Sequence, residues 1–509
     1  MISSHSENQV MPPDSVISGM HRQLFKPYWF WIGAVGIGLL TVAVYQKDAL
    51  GIGLTVLNGA LMLTFIQDCI KSRSLPAVLP MAFILILFLG VSIAPLAFYL
   101  FAPEATISLR HGLTHLPYLF RNARYQMAVL TFIAPYLLIV WPLVRKDRRE
   151  FVMPSVRVAR GFGWFIPLMF LSISVLTVMS HLFSTAAARV MITVYGYFLA
   201  IAMILGVTYR QSNVVLRWLM YAAFAINGLF YTLWSQRRNA LMPVAFFVLG
   251  LWCFAGLKKL TRVIILLVGG FGLVAFLTVG AVLRSETNLG VGSQQNLAER
   301  ILVMKNIDRY FDVDYEEAFM GVMARFFFAG GHSVVTRSPG EIPYQGMDAG
   351  QYSKEFALNF VPGFLIKSIA ASERAEYSGN WHLRKFGFML TDEHQVGITA
   401  FGSYWAMGGW VWAAIGGGVT ALLHLLLMLL VGRYQKQSTT KGLWFTSMLL
   451  VQFLWYSGRN ELSSIRFLFW SFVVAWVSYH VLIKHLIGED LVDEAVEFER
   501  FPTGTVEAY

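Results

Sequence analysis

Charge is scarce in this chain. Only 14% of its 509 residues are Asp, Glu, Lys or Arg, while 56% are hydrophobic and 15% aromatic. A soluble domain carries roughly 25% charged residues to clothe its surface, so this composition excludes a soluble globular protein. Cysteine is almost absent as well. Cys69 and Cys253 are the only two, so no disulfide or thiolate metal site is expected. The chain has no Walker loop, no dinucleotide-binding glycine fingerprint and no His-Glu-x-x-His element. ATP-driven pumping and zinc proteolysis are therefore poor readings. The alternating polar and apolar pattern of an outer-membrane barrel is missing too, so any membrane-crossing segments are expected to be helical.

What the chain does have is long apolar stretches. Tyr28 to Tyr45, Phe83 to Phe101, Met127 to Val144 and Val263 to Leu283 carry almost no charge on any helical face, unlike a soluble helix with one apolar stripe. About 20 apolar residues span a hydrocarbon core of roughly 30 Å. The pattern predicts an all-α, polytopic membrane protein with about twelve spans, near 28–45, 49–70, 78–101, 126–144, 162–181, 190–207, 215–234, 240–256, 262–282, 401–431, 442–458 and 464–486. Residues 1–27 precede the first span, 284–398 form one large loop, and 488–509 make an acidic tail with Glu489, Asp490, Asp493, Glu494, Glu497 and Glu499.

Basic residues orient the spans, because short connections rich in Lys and Arg stay on the cytoplasmic side. Lys71 and Arg73, the run Arg145, Lys146, Arg148 and Arg149, Arg210 and Arg217, Lys258, Lys259 and Arg262, and Arg433, Lys436 and Lys441 fall on alternate connections. Both termini are then expected in the cytoplasm. The large loop, the turns at Ser235 to Asn239 and Ser457 to Ser464, and the stretch Pro103 to Tyr125 are expected on the outer side. These loops also account for most of the formal net charge of +11, so it does not imply a nucleic-acid partner.

On that outer side sits a set of arginines. Arg237 and Arg238 in Trp234-Ser-Gln-Arg-Arg-Asn-Ala stand where one span turns into the next; Arg459 and Arg466 flank a second short turn; Arg325 lies in an aromatic part of the large loop. A single arginine at a span end snorkels to lipid phosphate as often as it does anything else. Several on one side suit an anionic ligand at the lipid surface, since guanidinium forks match phosphate oxygens and keep their charge. The large loop also holds His394 beside Asp392 and Glu393, and two further histidines, His332 and His382. A loop histidine beside two acids is either an ion-paired surface group or a proton acceptor. Tyr344, Tyr352, Tyr377 and Trp381 are loop core or sugar-stacking rings.

The order of these parts, over roughly residues 215–480, resembles the O-antigen polymerases, the Wzy-type oligosaccharide repeat-unit polymerases, and especially their enterobacterial common antigen branch. An arginine-bearing turn opens a span at Arg237-Arg-Asn-Ala. The long loop then carries Asn359-Phe-Val-Pro-Gly-Phe-Leu-Ile-Lys, with Gly363 after the proline where relatives often place a basic residue, and Lys367 four residues later. His394-Gln-Val-Gly leads into a glycine-rich span, and Arg459-Asn-Glu-Leu-Ser-Ser-Ile-Arg closes the series.

The resemblance implies a glycosyltransferase with a GT-C-like plan in a bacterial inner membrane, using undecaprenyl-diphosphate-linked sugars at the periplasmic face. The growing glycan would be donor and a fresh lipid-linked repeat the acceptor. Arg237, Arg238, Arg325, Arg459, Arg466 and Lys367 would hold the diphosphate, with Arg238 and Arg459 also stabilising it as it leaves. His394 would take the acceptor's proton, with Asp392, Glu393 and His332 as alternative bases. No cofactor and no metal are expected; Asp312-Val-Asp314 has the Asp-x-Asp form of a cation site but is too short to be specific. Membrane lipids, a chain-length regulator and a repeat-unit flippase are the implied partners. Two other readings stay open: a ligase that moves the glycan to a lipid A core or other acceptor, and a transporter or flippase, although the halves show no convincing repeat of the kind transporters use.

Overall fold

The computed structural model describes residues 47–72, 74–101, 106–109, 112–115, 119, 121–146, 160–183, 185–209, 213–233, 237–254, 264, 400–435, 440–456, 469 and 472–487. Helices dominate them. In chain order they are α1 (Lys47–Ser72), α2 (Val78–Phe88), a π-helical turn (Leu89–Ile93), α3 (Ala94–Phe101), α4 (Ala123–Lys146), α5 (Arg160–Phe183), α6 (Thr185–Thr208), α7 (Val214–Leu233), α8 (Arg237–Phe254), α9 (Ala400–Gln435) and α10 (Thr440–Tyr456). The stretch Phe472–Val481 runs into a second π-helical turn (Ser478–Ile483) and a final short helix, α11 (Lys484–Ile487).

Every span expected from 49–70 through 240–256, and those at 401–431 and 442–458, falls on a helix. Four helical stretches, Ala49–Ser72, Val78–Phe101, Ala123–Arg145 and Gly408–Gln435, are long and apolar enough to cross a membrane. Five shorter apolar helices lie at Gly163–Met179, Gly196–Thr208, Val214–Gly228, Met242–Leu251 and Phe472–Val481. The chain is thus a helical, membrane-embedded protein. The expected spans at 28–45 and most of 262–282, the large loop and the acidic tail lie outside the described residues.

An all-α expectation misses one element. Thr106–Leu109 and Gly112–His115 form an antiparallel hairpin, β1 and β2, in the register Thr106 with His115 and Leu109 with Gly112. Thr-Ile-Ser-Leu and Gly-Leu-Thr-His each alternate polar and apolar residues, the strand period.

Packing gives the helices their directions. Along the α1–α4 seam, Gly51 meets the Arg121 carbonyl, Asn58 meets Gln126, and Asp68 meets Trp141 and Arg145, so these two helices run parallel. Phe83 and Val91 meet Tyr136 and Gln126 in the opposite order, so the α2–α3 segment runs antiparallel to α4. Beyond its kink α9 is again parallel to α4, with Gly417 on the Phe132 carbonyl and His424 on Tyr136. α10 returns antiparallel to α9, since Tyr434 stacks on Phe445 and His424 packs on Phe453. Helices α5 to α8 form a second group, which α10 joins to the first: Gln452 of α10 lies against Gly196 of α6.

These directions gather charge at one end. Lys71, Arg145, Lys146 and Arg433 close α1, α4 and α9, Lys441 opens α10 with its ammonium 5.8 Å from the centre of the Tyr479 ring, and Lys484 follows. On the flank of α9, Val411, Ile415, Val419, Leu422, Leu426 and Leu429 are all exposed at three- and four-residue spacing. That continuous apolar stripe is what a lipid-facing helix presents.

Small residues set the closest crossings. A Cβ on Gly417 would land on the backbone carbonyl of Phe132, and Gly206 and Gly250 bring α6 and α8 together so tightly that a Cβ on either would strike the other helix's backbone. Lipid offers no hydrophobic drive for helices to associate, so close backbone approach and interhelical hydrogen bonds do that work. Asn227 of α7 supplies one such bond, donating to the Ser174 hydroxyl of α5.

Candidate functional site

Arg237 and Arg238 form the first turn of α8, and no acidic residue shares that turn. The amide ends of a helix N-terminus carry about half a positive charge, so cations there weaken the helix and anions strengthen it. Because α7 and α8 are joined by a short connection and meet through Phe224 and Phe247, α8 begins at the end of its group opposite Arg217 and Tyr209. The remaining sequence candidates, Arg325, His332, Lys367, Asp392, Glu393, His394, Arg459 and Arg466, lie outside the described residues.

A second helix starts the same way. α4 opens at the end away from Lys71, Arg145 and Arg433, with Arg121 just before it and Arg124 in its first turn. Asn122 is its N-cap: the side-chain oxygen accepts from the Tyr125 amide at 2.9 Å, and the Asn122 carbonyl accepts from Gln126. The preceding Leu119 carbonyl is held by the Gln126 amide group at 3.1 Å. Sequence reading placed this stretch on the outer side without singling out its arginines. The signal was present in Asn122, a favoured N-cap residue type standing directly before an apolar run, with Arg121 and Arg124 on either side of it.

Beside this helix start, α9 folds back on itself. Its regular geometry breaks at Gly408 (φ −177°, ψ 30°) and Gly409 (φ 66°, ψ −134°). The lead-in from Ala400 therefore doubles back along the helix it precedes. Phe401 packs edge-on against Tyr125 and Phe132 at 6.0 and 6.2 Å, and the Tyr404 ring lies on Gly416. Trp405 is sandwiched between Trp410, 4.7 Å away, and the guanidinium of Arg124, 5.9 Å from its ring centre. A cation over an indole face at that range is attracted by the ring quadrupole. The lead-in is thereby anchored to α4 through Phe401 and Trp405 and to the rest of α9 through Tyr404, and it carries the chain in from the residues next to His394.

The described residues thus show arginine-bearing helix starts at α4 and at α8. The α4 start, where Arg124 lies over Trp405 beside the exposed Trp410, adds a helix N-terminus to its arginines and so attracts anionic groups. It holds no described proton acceptor. The one histidine buried within the span of α9, His424, sits deeper, with Nδ1 2.6 Å from the Tyr136 hydroxyl and rings of Phe83 and Phe453 closing on it edge-on. At 3% exposure it joins helices and does not face a substrate. Sequence reading passed over it because one histidine does little to the hydropathy of a long apolar run.

Near the basic end, Asp68 accepts from Arg145 Nε and Trp141 Nε1 on one carboxylate oxygen, each at 2.8 Å. Among the described residues no group of three or more His, Cys, Asp or Glu side chains is placed to hold a metal ion. Comparison with protein-family models, curated proteins and solved structures finds no match to this chain.

Proposed function

We propose that this protein is a membrane glycosyltransferase that polymerises undecaprenyl-diphosphate-linked oligosaccharide repeat units at the periplasmic face of a bacterial inner membrane, with both termini cytoplasmic. The observation that carries the reading is the arginine pair Arg237 and Arg238 on the opening turn of α8, where cations oppose the helix dipole and an anion would relieve them. Arg121 and Arg124 likewise stand at a helix start, that of α4. The lipid-facing stripe of α9 supports a substrate that arrives laterally through the membrane.

In this mechanism the hydroxyl of the incoming repeat attacks the anomeric carbon of the growing chain. A carbon–oxygen bond forms there as the bond to the lipid diphosphate breaks. His394 accepts the hydroxyl proton, with Asp392, Glu393 or His332 in reserve. Arg237, Arg238, Arg325, Arg459, Arg466 and Lys367 take up the charge that develops on the leaving diphosphate, and loss of one such preorganised donor costs on the order of 10²–10³ in rate. No metal is needed in this scheme.

The test is reconstitution of purified protein with lipid-diphosphate-linked repeats, without added metal or nucleotide, comparing wild type, Arg238→Ala and His394→Ala. A ladder of products from wild type that disappears in both folded variants is the expected result. Transfer seen only after a lipid A core acceptor is added would make the protein a ligase. Silence in both assays would overturn the glycosyltransferase reading in favour of transport.

A further inference from the structure

The span Val78–Phe101 contains a defect with a chemical cause. In an α-helix the Val91 carbonyl would accept from the amide of residue 95, which is Pro95 and has no N–H. The helix relaxes into the π-helical turn Leu89–Ile93, in which the Ala94 amide reaches back to the Leu89 carbonyl. Gln126 of α4 then donates to Val91 at 3.4 Å, as well as to Leu119 at 3.1 Å. Asn58 of α1 completes this layer: its amide nitrogen donates to the Gln126 carbonyl at 2.9 Å and to the Gln126 side-chain oxygen at 3.1 Å.

Both partners of that nitrogen are acceptors, which fixes the orientation of the Asn58 amide and turns its oxygen the other way. Among the described residues Asn58 Oδ1 has no hydrogen-bond partner, although Asn58 is fully buried. Ser92 Oγ, one residue beyond Val91 in the π-turn and 6% exposed, has none either. The two residues meet at the same seam, since Ser92 Oγ lies 3.5 Å from where a Cβ on Gly59, the neighbour of Asn58, would stand. An orphaned buried polar atom costs about 1–3 kcal/mol, and two at one seam point to a missing shared partner.

We infer that the π-turn holds a buried water molecule that donates to Asn58 Oδ1 and accepts from the Ser92 hydroxyl. The site calls for a neutral ligand. The two acids on α1, Asp48 and Asp68, each stand ten residues along the helix from Asn58, about 15 Å away, and Asp68 is already paired with Arg145. A cation would be stripped of its hydration here with no counter-charge. The π-turn, with its extra residue, supplies the slack that a regular helix packed on α1 would not.

An experimental map of the wild-type protein at a resolution that shows ordered solvent should contain a peak within hydrogen-bonding distance of both atoms; its absence would overturn the inference. Thermal unfolding of a mutant cycle gives an independent reading. Ser92→Ala should lower the midpoint in the wild-type background and leave it unchanged in an Asn58→Leu background, because the water couples two side chains that do not bond directly. Equal effects in both backgrounds, or a midpoint raised by Ser92→Ala, would overturn it. The midpoint should be the same in sodium, potassium and choline salts at matched ionic strength; a rise specific to one metal cation would replace the water with an ion.

Discussion

The Tyr136 hydroxyl and His424 Nδ1 approach to 2.6 Å between helices that are 288 residues apart in sequence, and the rings of Phe83 and Phe453 stand edge-on to the imidazole. This pair pins α9 to α4, which precedes it by more than 250 residues in sequence. Tyr136→Phe removes the hydroxyl and leaves the histidine nitrogen stranded. The cost in a soluble core would be about 1–3 kcal/mol. Interhelical bonds within bilayers average nearer 0.6 kcal/mol, because the unfolded helices find other partners there. A loss of about 1 kcal/mol is expected on thermal unfolding in detergent. The double variant Tyr136→Phe/His424→Leu should lose less than the sum of the single variants, and additive losses would show that the pair is not coupled.

Adjacent glycines in α9 give a sharper contrast. A Cβ on Gly417 meets the Phe132 backbone carbonyl, which cannot swing aside, whereas a Cβ on Gly418 meets nothing within 4 Å. Gly417→Ala should destabilise by roughly 1–3 kcal/mol through overpacking. Gly418→Ala should be neutral or slightly stabilising, since alanine is favoured over glycine within a helix by about 1 kcal/mol. Unfolding midpoints of the two variants, made side by side, test this; a Gly418→Ala loss as large as that of Gly417→Ala would contradict the described crossing.

Asp68 and Arg145 offer a charge-based check at the other end of α4. Their side chains are 18% and 23% exposed, so solvent screens the pair only in part. Asp68→Asn retains an oxygen for Trp141 Nε1 but gives up the charge opposite Arg145. A loss on the order of 1 kcal/mol is expected, shrinking as salt is raised. Unfolding in low and high salt measures it, and a salt-independent loss would assign the effect to packing.

The helical spans were legible because they depend on composition: about twenty consecutive apolar residues leave a chain few alternatives in a membrane. The break in α9 was also signalled, by Gly408 and Gly409 together, although whether such a pair makes a close contact or a kink depends on neighbours brought in from α4. The β1–β2 hairpin was not foreseen, since four-residue strands are too short for alternation to stand out. His424, Asn58 and Gln126 were invisible for another reason: their meaning lies in partners from other helices, and a lone polar residue in an apolar run names no partner. Of the candidate site, the arginine turn at Arg237 was read from sequence and falls on a helix start, whereas Arg121 and Arg124 gained significance only when Trp405 was found beneath the latter.

The fold-back of α9 rests on a backbone conformation that one residue type tolerates. Gly409 has φ 66° with ψ −134°, and nothing lies within 4 Å of where its Cβ would be, so a substitution there tests conformation without steric conflict. Gly409→Ala should cost about 1–3 kcal/mol in the folded-back state, enough to shift a segment held by a few ring contacts towards a straighter helix. Cysteines at Phe401 and Phe132, whose rings are 6.2 Å apart, would report the change in a background in which Cys69 and Cys253 are replaced. A short bifunctional thiol reagent should cross-link them efficiently in the parent and several-fold less after Gly409→Ala, while Gly418→Ala leaves the yield unchanged. If lipid-linked glycan transfer falls in parallel with cross-linking, the fold-back positions the residues next to His394 for the reaction. Unchanged cross-linking in Gly409→Ala would mean that the contacts of Phe401, Tyr404 and Trp405 hold the segment without help from the glycine.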